Sequence, residues 1–139
     1  MEQKEVDKIE VGEWIRTHTG EIGKVFKVEL AKEEREKYPN NPYKGYWRDK
    51  YVTDVRRGYC TRQVIKNHSK NIIELLEAGD YLNGQLIENI HRKEKDRIYY
   101  EFLKNQDGSF EVMAMCELKN IKSIVTKEKF EAMSYRLEV

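Results

Sequence analysis

The stretch "GEWIRTHTGEIGKVFKV", residues 12–28, decides the fold, because it supports three incompatible readings. "HTGE" spells the linker between Cys/His zinc fingers, "GEIGK" spells a shortened phosphate loop, and the whole spells two β-strands around a turn. A zinc finger needs a cysteine pair ahead of a histidine pair. Here no cysteine precedes His18, and the next histidine is His68. A phosphate loop needs four residues between its first Gly and the Gly-Lys-Ser/Thr, so that successive N–H groups wrap the phosphates. Gly20 and Gly23 enclose only Glu21 and Ile22, and Val25 stands where a Mg²⁺-binding hydroxyl belongs. The hairpin remains: "EWIRTH" and "EIGKVFKVEL" are β-favouring runs, and Gly20 supplies the positive φ of a tight turn.

The start of this hairpin has an echo. "EVGEWI" (residues 10–15) matches "EAGDYL" (residues 77–82) in residue type at every position, and "GEI" at 20–22 is echoed by "GQL" at 84–86. A repeat at about half the chain predicts two related β modules, although a turn leading into a strand can also arise twice by chance.

Further turn signals divide the rest into short segments. "AKEEREKY" reads as a brief helix closed by Pro39, "KYVTDV" and "YCTRQVI" as strands around Arg57-Gly58, and "SKNIIELLEAG" as a helix with Ser69 as N-cap and Gly79 as C-cap. Asn83-Gly84 is a two-residue hairpin turn, and "KNQDG" joins "DRIYYEFL" to "SFEVMAMCEL". "IKSIV" reads as a strand, Thr126 caps a short helix "KEKFEAM", and "SYRLEV" closes the chain extended. The expected fold is mostly β with short α-helices. It consists of two small Src-homology-like barrel modules in tandem, residues 1–77 and 78–139, either separate or packed as one unit.

The hairpin also resembles the KOW pattern of ribosomal and transcription-elongation proteins, through Gly12, Glu13, Ile15, Gly20, Gly23 and Val25. That resemblance implies a small Src-homology-type barrel. "NHSKNIIELLEAGDYLNG" and "IKSIVTKEKFEAMSY" are similar to strings in small proteins of phages, prophages and mobile elements of low-GC Gram-positive bacteria. This resemblance implies a phage or mobile-element origin and brings no catalytic residue with it.

Composition sets the class of function. Of 139 residues, 39% are hydrophobic and 37% charged, and nine Tyr, four Phe and two Trp supply the anchors that a disordered chain lacks. No apolar run is long enough to span a bilayer, "MEQKEVDKIE" lacks the core of a secretory signal, and Cys60 and Cys116 are expected reduced, so a cytoplasmic location in the bacterial host is expected. The carboxylates Glu33, Glu34, Glu36, Glu94 and Asp96 alternate with Lys and Arg, as on a solvated face. Neither Ser nor Cys has the surroundings of an activated nucleophile, and the three histidines form no ligand spacing, so neither catalysis, a metal nor a cofactor is expected.

Charge is uneven: residues 41–70 carry eight Lys/Arg against two Asp, within a chain of net charge +1. In that segment Tyr43, Tyr46, Trp47 and Tyr59 interleave with Lys44, Arg48, Lys50, Arg56, Arg57 and Arg62. Cations suit phosphates or acidic surfaces, and aromatics suit exposed bases or protein hot spots. The same interleaving also fits aromatics lining a core while cations point to water. The segment makes a non-catalytic binding protein the expected function, docking onto a host protein or nucleoprotein complex, for instance as an antagonist of host defence. Direct binding of DNA or RNA is the alternative.

Overall fold

The computed structural model describes residues 8–54, 59–103 and 111–133. Among them the chain is mostly β, and it divides into two compact units, Met1–Lys70 and Asn71–Val139.

In the first unit the opening stretch forms a hairpin of β1 (Trp14–Thr17) and β2 (Ile22–Glu29), with Trp14 opposite Lys24 and Arg16 opposite Ile22. Gly20 has a φ of +88°, and the Thr17 hydroxyl accepts the Glu21 N–H at 3.0 Å, which ties the turn across its base. Strands β3 (Lys50–Thr53) and β4 (Ile65–Ser69) complete an antiparallel sheet in the order β3-β2-β1-β4. Its core gathers Ile9, Ile15, Val25, Tyr51, Cys60 and Ile65. The central strand β1 is buried along most of its length, and Arg16 is the largest fully buried side chain among the described residues.

The second unit opens with a 3-10 turn, Ile72–Leu75, and then pairs β5 (Tyr81–Leu82) with β6 (Gln85–Leu86). Asn83 (φ +50°) and Gly84 (φ +84°) both occupy the left-handed region that a two-residue hairpin demands. β10 (Ile124–Val125) pairs with β5, while β7 (Asn89–Lys93), β8 (Arg97–Leu103) and β9 (Glu111–Glu117) form a separate antiparallel sheet. Ile73, Leu76, Leu82, Ile87, Ile98 and Tyr100 form this unit's own core with Cys116. The expected cap at Thr126 is present, its Oγ1 accepting the Lys129 N–H at 3.2 Å as helix α2 (Lys127–Met133) begins.

One expectation changes. Ser69 is the last residue of β4 and not a helix cap; Asn71 takes that role by accepting the Ile73 N–H at 3.1 Å, and only one 3-10 turn follows. The cause is strand pairing, which sets Ser69 opposite Trp14 of β1. Among the described residues the strands form one four-stranded sheet in the first unit and two three-stranded sheets in the second, without showing a closed barrel. The Arg57-Gly58 turn and "SYRLEV" lie outside the described residues.

The sequence echo is a repeated hydrogen-bonded device. In the first unit the Glu13 N–H donates to Glu10 O at 3.1 Å, while Glu13 Oε2 accepts the Glu10 N–H. In the second, the Asp80 N–H donates to Glu77 O at 3.1 Å, while Asp80 Oδ2 accepts the Glu77 N–H at 2.8 Å. The Gly12 N–H donates to Val25 O and the Val25 N–H to Glu13 O; Gly79, Ile87 and Asp80 repeat this pair, each bond at 2.8 Å.

The likeness extends along the units. β4 returns to pair with β1 as β10 returns to β5. The two cysteines are equivalent as well, Cys60 bridging Tyr51 of β3 and Cys116 pairing with Ile98 of β8. After each, a 3-10 turn follows, Arg62–Val64 and Leu118–Asn120.

Asp80 is fully buried, and its second oxygen, Oδ1, accepts the first N–H of α2 from Lys127 at 2.9 Å. Asp80→Ala therefore strands two backbone donors at once. Removing a partner from a buried donor costs about 1–3 kcal/mol. A lowered denaturation midpoint of the second unit, read from Tyr100 and Tyr81 by near-ultraviolet dichroism, is the expected outcome.

Candidate binding site

The basic, aromatic segment begins inside an insertion. In the second unit the strand after the hairpin turns directly into the next, β7 to β8 through residues 94–96, closed by the Glu94 N–H on Arg97 O at 2.8 Å. In the first unit the equivalent connection, β2 to β3, runs through residues 30–49. It contains helix α1 (Ala31–Lys37) and a 3-10 turn, Lys44–Tyr46. The helix starts at Leu30, which has no capping side chain; Asp49 substitutes, its Oδ1 accepting the Ala31 N–H at 2.8 Å. Asn41 Oδ1 accepts the Tyr43 N–H at 2.8 Å, and Lys44 Nζ donates to Pro39 O. These local bonds turn Tyr43 and Tyr46 outward, 68% and 77% exposed.

Between this insertion and the ends of β2 and β3 lies an open cleft of about 580 Å³. Trp47, Arg48 and Lys50, three of the expected binding residues, line it. Lys27 and Glu29 enter it from β2, Glu34 and Lys37 from α1, and Tyr38 from just beyond that helix. Tyr38 and Trp47 meet edge to face, at 90° and 6.3 Å between centroids. Lys27 is paired with Glu29 at 3.1 Å. Lys37, Arg48 and Lys50 pair with no carboxylate among the described residues.

The remaining expected residues scatter around this centre. Tyr43, Lys44 and Tyr46 form the tip of the insertion and do not line the cleft. Tyr59 is exposed, with Lys50 Nζ 4.9 Å from its ring centroid. Arg62 Nη1 donates to Ile65 O at 2.9 Å, which fixes the bend into β4. Arg56 and Arg57 lie outside the described residues. Tyr51, in the same aromatic run, belongs to the core.

Two of the three histidines are engaged away from the cleft. His68 Nδ1 lies 2.7 Å from Glu13 Oε1, both side chains being nearly buried, and His91 Nε2 lies 3.0 Å from Glu101 on the surface. Among the described residues no group of His, Cys, Asp and Glu could hold a metal ion, and no helix is long and apolar enough to cross a membrane. Comparison of the chain with known protein families, with curated proteins and with solved structures returned no match.

Both cysteines are buried. Burial, with the Glu117 carboxylate adding to it, pushes the Cys116 thiol up, and burial likewise raises the Tyr100 phenol. A raised value means that the folded unit holds a proton which the unfolded chain gives up. Its stability is then full below the ordinary thiol value of 9.0 and is lost as pH rises through the folded one. Denaturant midpoints of the second unit should therefore fall at alkaline pH, and Cys116→Ala should flatten the early part of that fall.

Proposed function

We propose that the chain is a non-catalytic docking protein that binds an acidic surface of a partner protein through the tip of the 30–49 insertion. The exposed Tyr43–Tyr46 tip, held by local hydrogen bonds at a place where the second unit makes do with a short turn, carries this reading. Tyrosine side chains have few rotatable bonds and large contact area, and interface hot spots are enriched in them. Lys44 and Arg48 beside them, with Arg56 and Arg57 further along the chain, supply positive charge. Glu29, Glu34 and Asp49 in and beside the insertion, with Asp54 after β3, interrupt the positive charge that a nucleic-acid strand's continuous phosphates would need, which favours a protein partner. The resemblance of the chain to small phage and mobile-element proteins supports a bacterial host as the source of that partner, with antagonism of a defence system as a fitting role.

The test is capture of host proteins by the tagged chain, with and without nuclease. Double substitution Tyr43→Ala/Tyr46→Ala should reduce capture at least tenfold, about 1.4 kcal/mol, with circular dichroism unchanged. Charge reversal at Arg56 and Arg57 should weaken it further. Capture that survives both variants removes the reading, and capture that vanishes with nuclease shifts it to nucleic acid.

A further inference from the structure

The cleft beside the insertion has a chemistry of its own. Its volume, about 580 Å³, falls within the roughly 300–1,000 Å³ of small-molecule sites. Its walls offer three kinds of contact. Tyr38 and Trp47 stand perpendicular, a corner in which a planar ring can stack on one face while its edge meets the other. Lys37, Arg48 and Lys50 bring positive charge without a carboxylate partner among the described residues, although Glu29 and Glu34 share the same cleft. Those two carboxylates accept hydrogen bonds only.

A ring, an anionic group and hydroxyl or amino donors are what such a cleft complements together, and one ligand class carries all three. We propose that the cleft binds a single nucleoside phosphate, its base in the Tyr38–Trp47 corner, its phosphate on Lys37, Arg48 and Lys50, and its sugar hydroxyls or base amino group toward Glu29 and Glu34. The carboxylates restrict the site to one nucleotide, because a strand continuing through it would carry further phosphates past them. This proposal does not rest on the docking reading, since Tyr43, Lys44 and Tyr46 take no part in the cleft.

The experiment titrates the purified Trp14→Phe chain, whose single tryptophan is then Trp47, with AMP, GMP, CMP and UMP at low salt. Adenosine, guanosine and inorganic phosphate serve as component arms. At least one nucleotide should quench Trp47 fluorescence saturably, and its nucleoside and phosphate alone should each bind at least tenfold more weakly. Lys37→Glu/Lys50→Glu should weaken nucleotide binding at least tenfold, and Tyr43→Ala/Tyr46→Ala should leave it unchanged. Calorimetry on the unsubstituted chain makes the same comparison should Trp14→Phe disturb the fold. Absence of saturable binding up to millimolar nucleotide overturns the proposal. Phosphate binding as well as the nucleotide overturns it too, as does a short oligonucleotide binding much more tightly than any mononucleotide.

Discussion

One buried carboxylate per unit holds the architecture together. A glycine with positive φ brings the chain round, and the acidic residue after it caps the turn with one oxygen. The paired bonds from Gly12 to Val25 and from Gly79 to Ile87 then fix the register of each hairpin. The other oxygen reaches the far end of the same unit. Glu13 contacts His68 in β4, the last described strand of the first unit, and Asp80 receives the leading N–H of α2, the last described helix of the second. Each carboxylate thus joins the beginning of its unit to its end. A buried charge is tolerated only when its hydrogen bonds are made, which commits both ends to one arrangement.

With the frame fixed in this way, the two units can differ where the frame does not reach. The connection between second and third strands is such a place. The second unit closes it with a turn, while the first extends it into a helix, an aromatic tip and a cleft. The surplus chain adds little to the core, for Ala31 is its one described residue below a tenth exposed. Its exposed Tyr43 and Tyr46 thus take little part in packing, and the proposed binding role rests on them.

Legibility followed the range of the interactions. Gly20, Asn83-Gly84 and Thr126 were readable because turns and caps are decided by a few neighbouring residues. The six-residue echo was readable because the acidic turn is local too. The equivalence of Cys60 and Cys116 was not, because the spacing between copies shrinks from 67 residues at Glu10 and Glu77 to 56 at the cysteines. The insertion and unequal loops destroy the constant period that reveals repeats. Ser69 misled because a hydroxyl before an apolar run signals a cap only if a helix follows, and β pairing with Trp14 claimed it first. The basic, aromatic segment was legible as composition, but most of the cleft was not. Lys27 and Lys37 sit on a strand and a helix whose charges look like ordinary solvated faces, and only the fold brings them beside Trp47.

The same hydrogen bond that starts α1 also governs what the insertion can present. Asp49 Oδ1 on the Ala31 N–H closes residues 31–49 into a loop whose ends are held together at 2.8 Å, one residue ahead of β3. An open loop of that length would lose conformational entropy on binding any partner. Here the Asp49 cap, the Asn41 turn and the Tyr38–Trp47 contact have ordered much of it beforehand. The aromatic tip and much of the cationic cleft thereby belong to one short, pre-ordered element. Preorganisation of this kind raises affinity without adding contacts, which suits the proposed binding role.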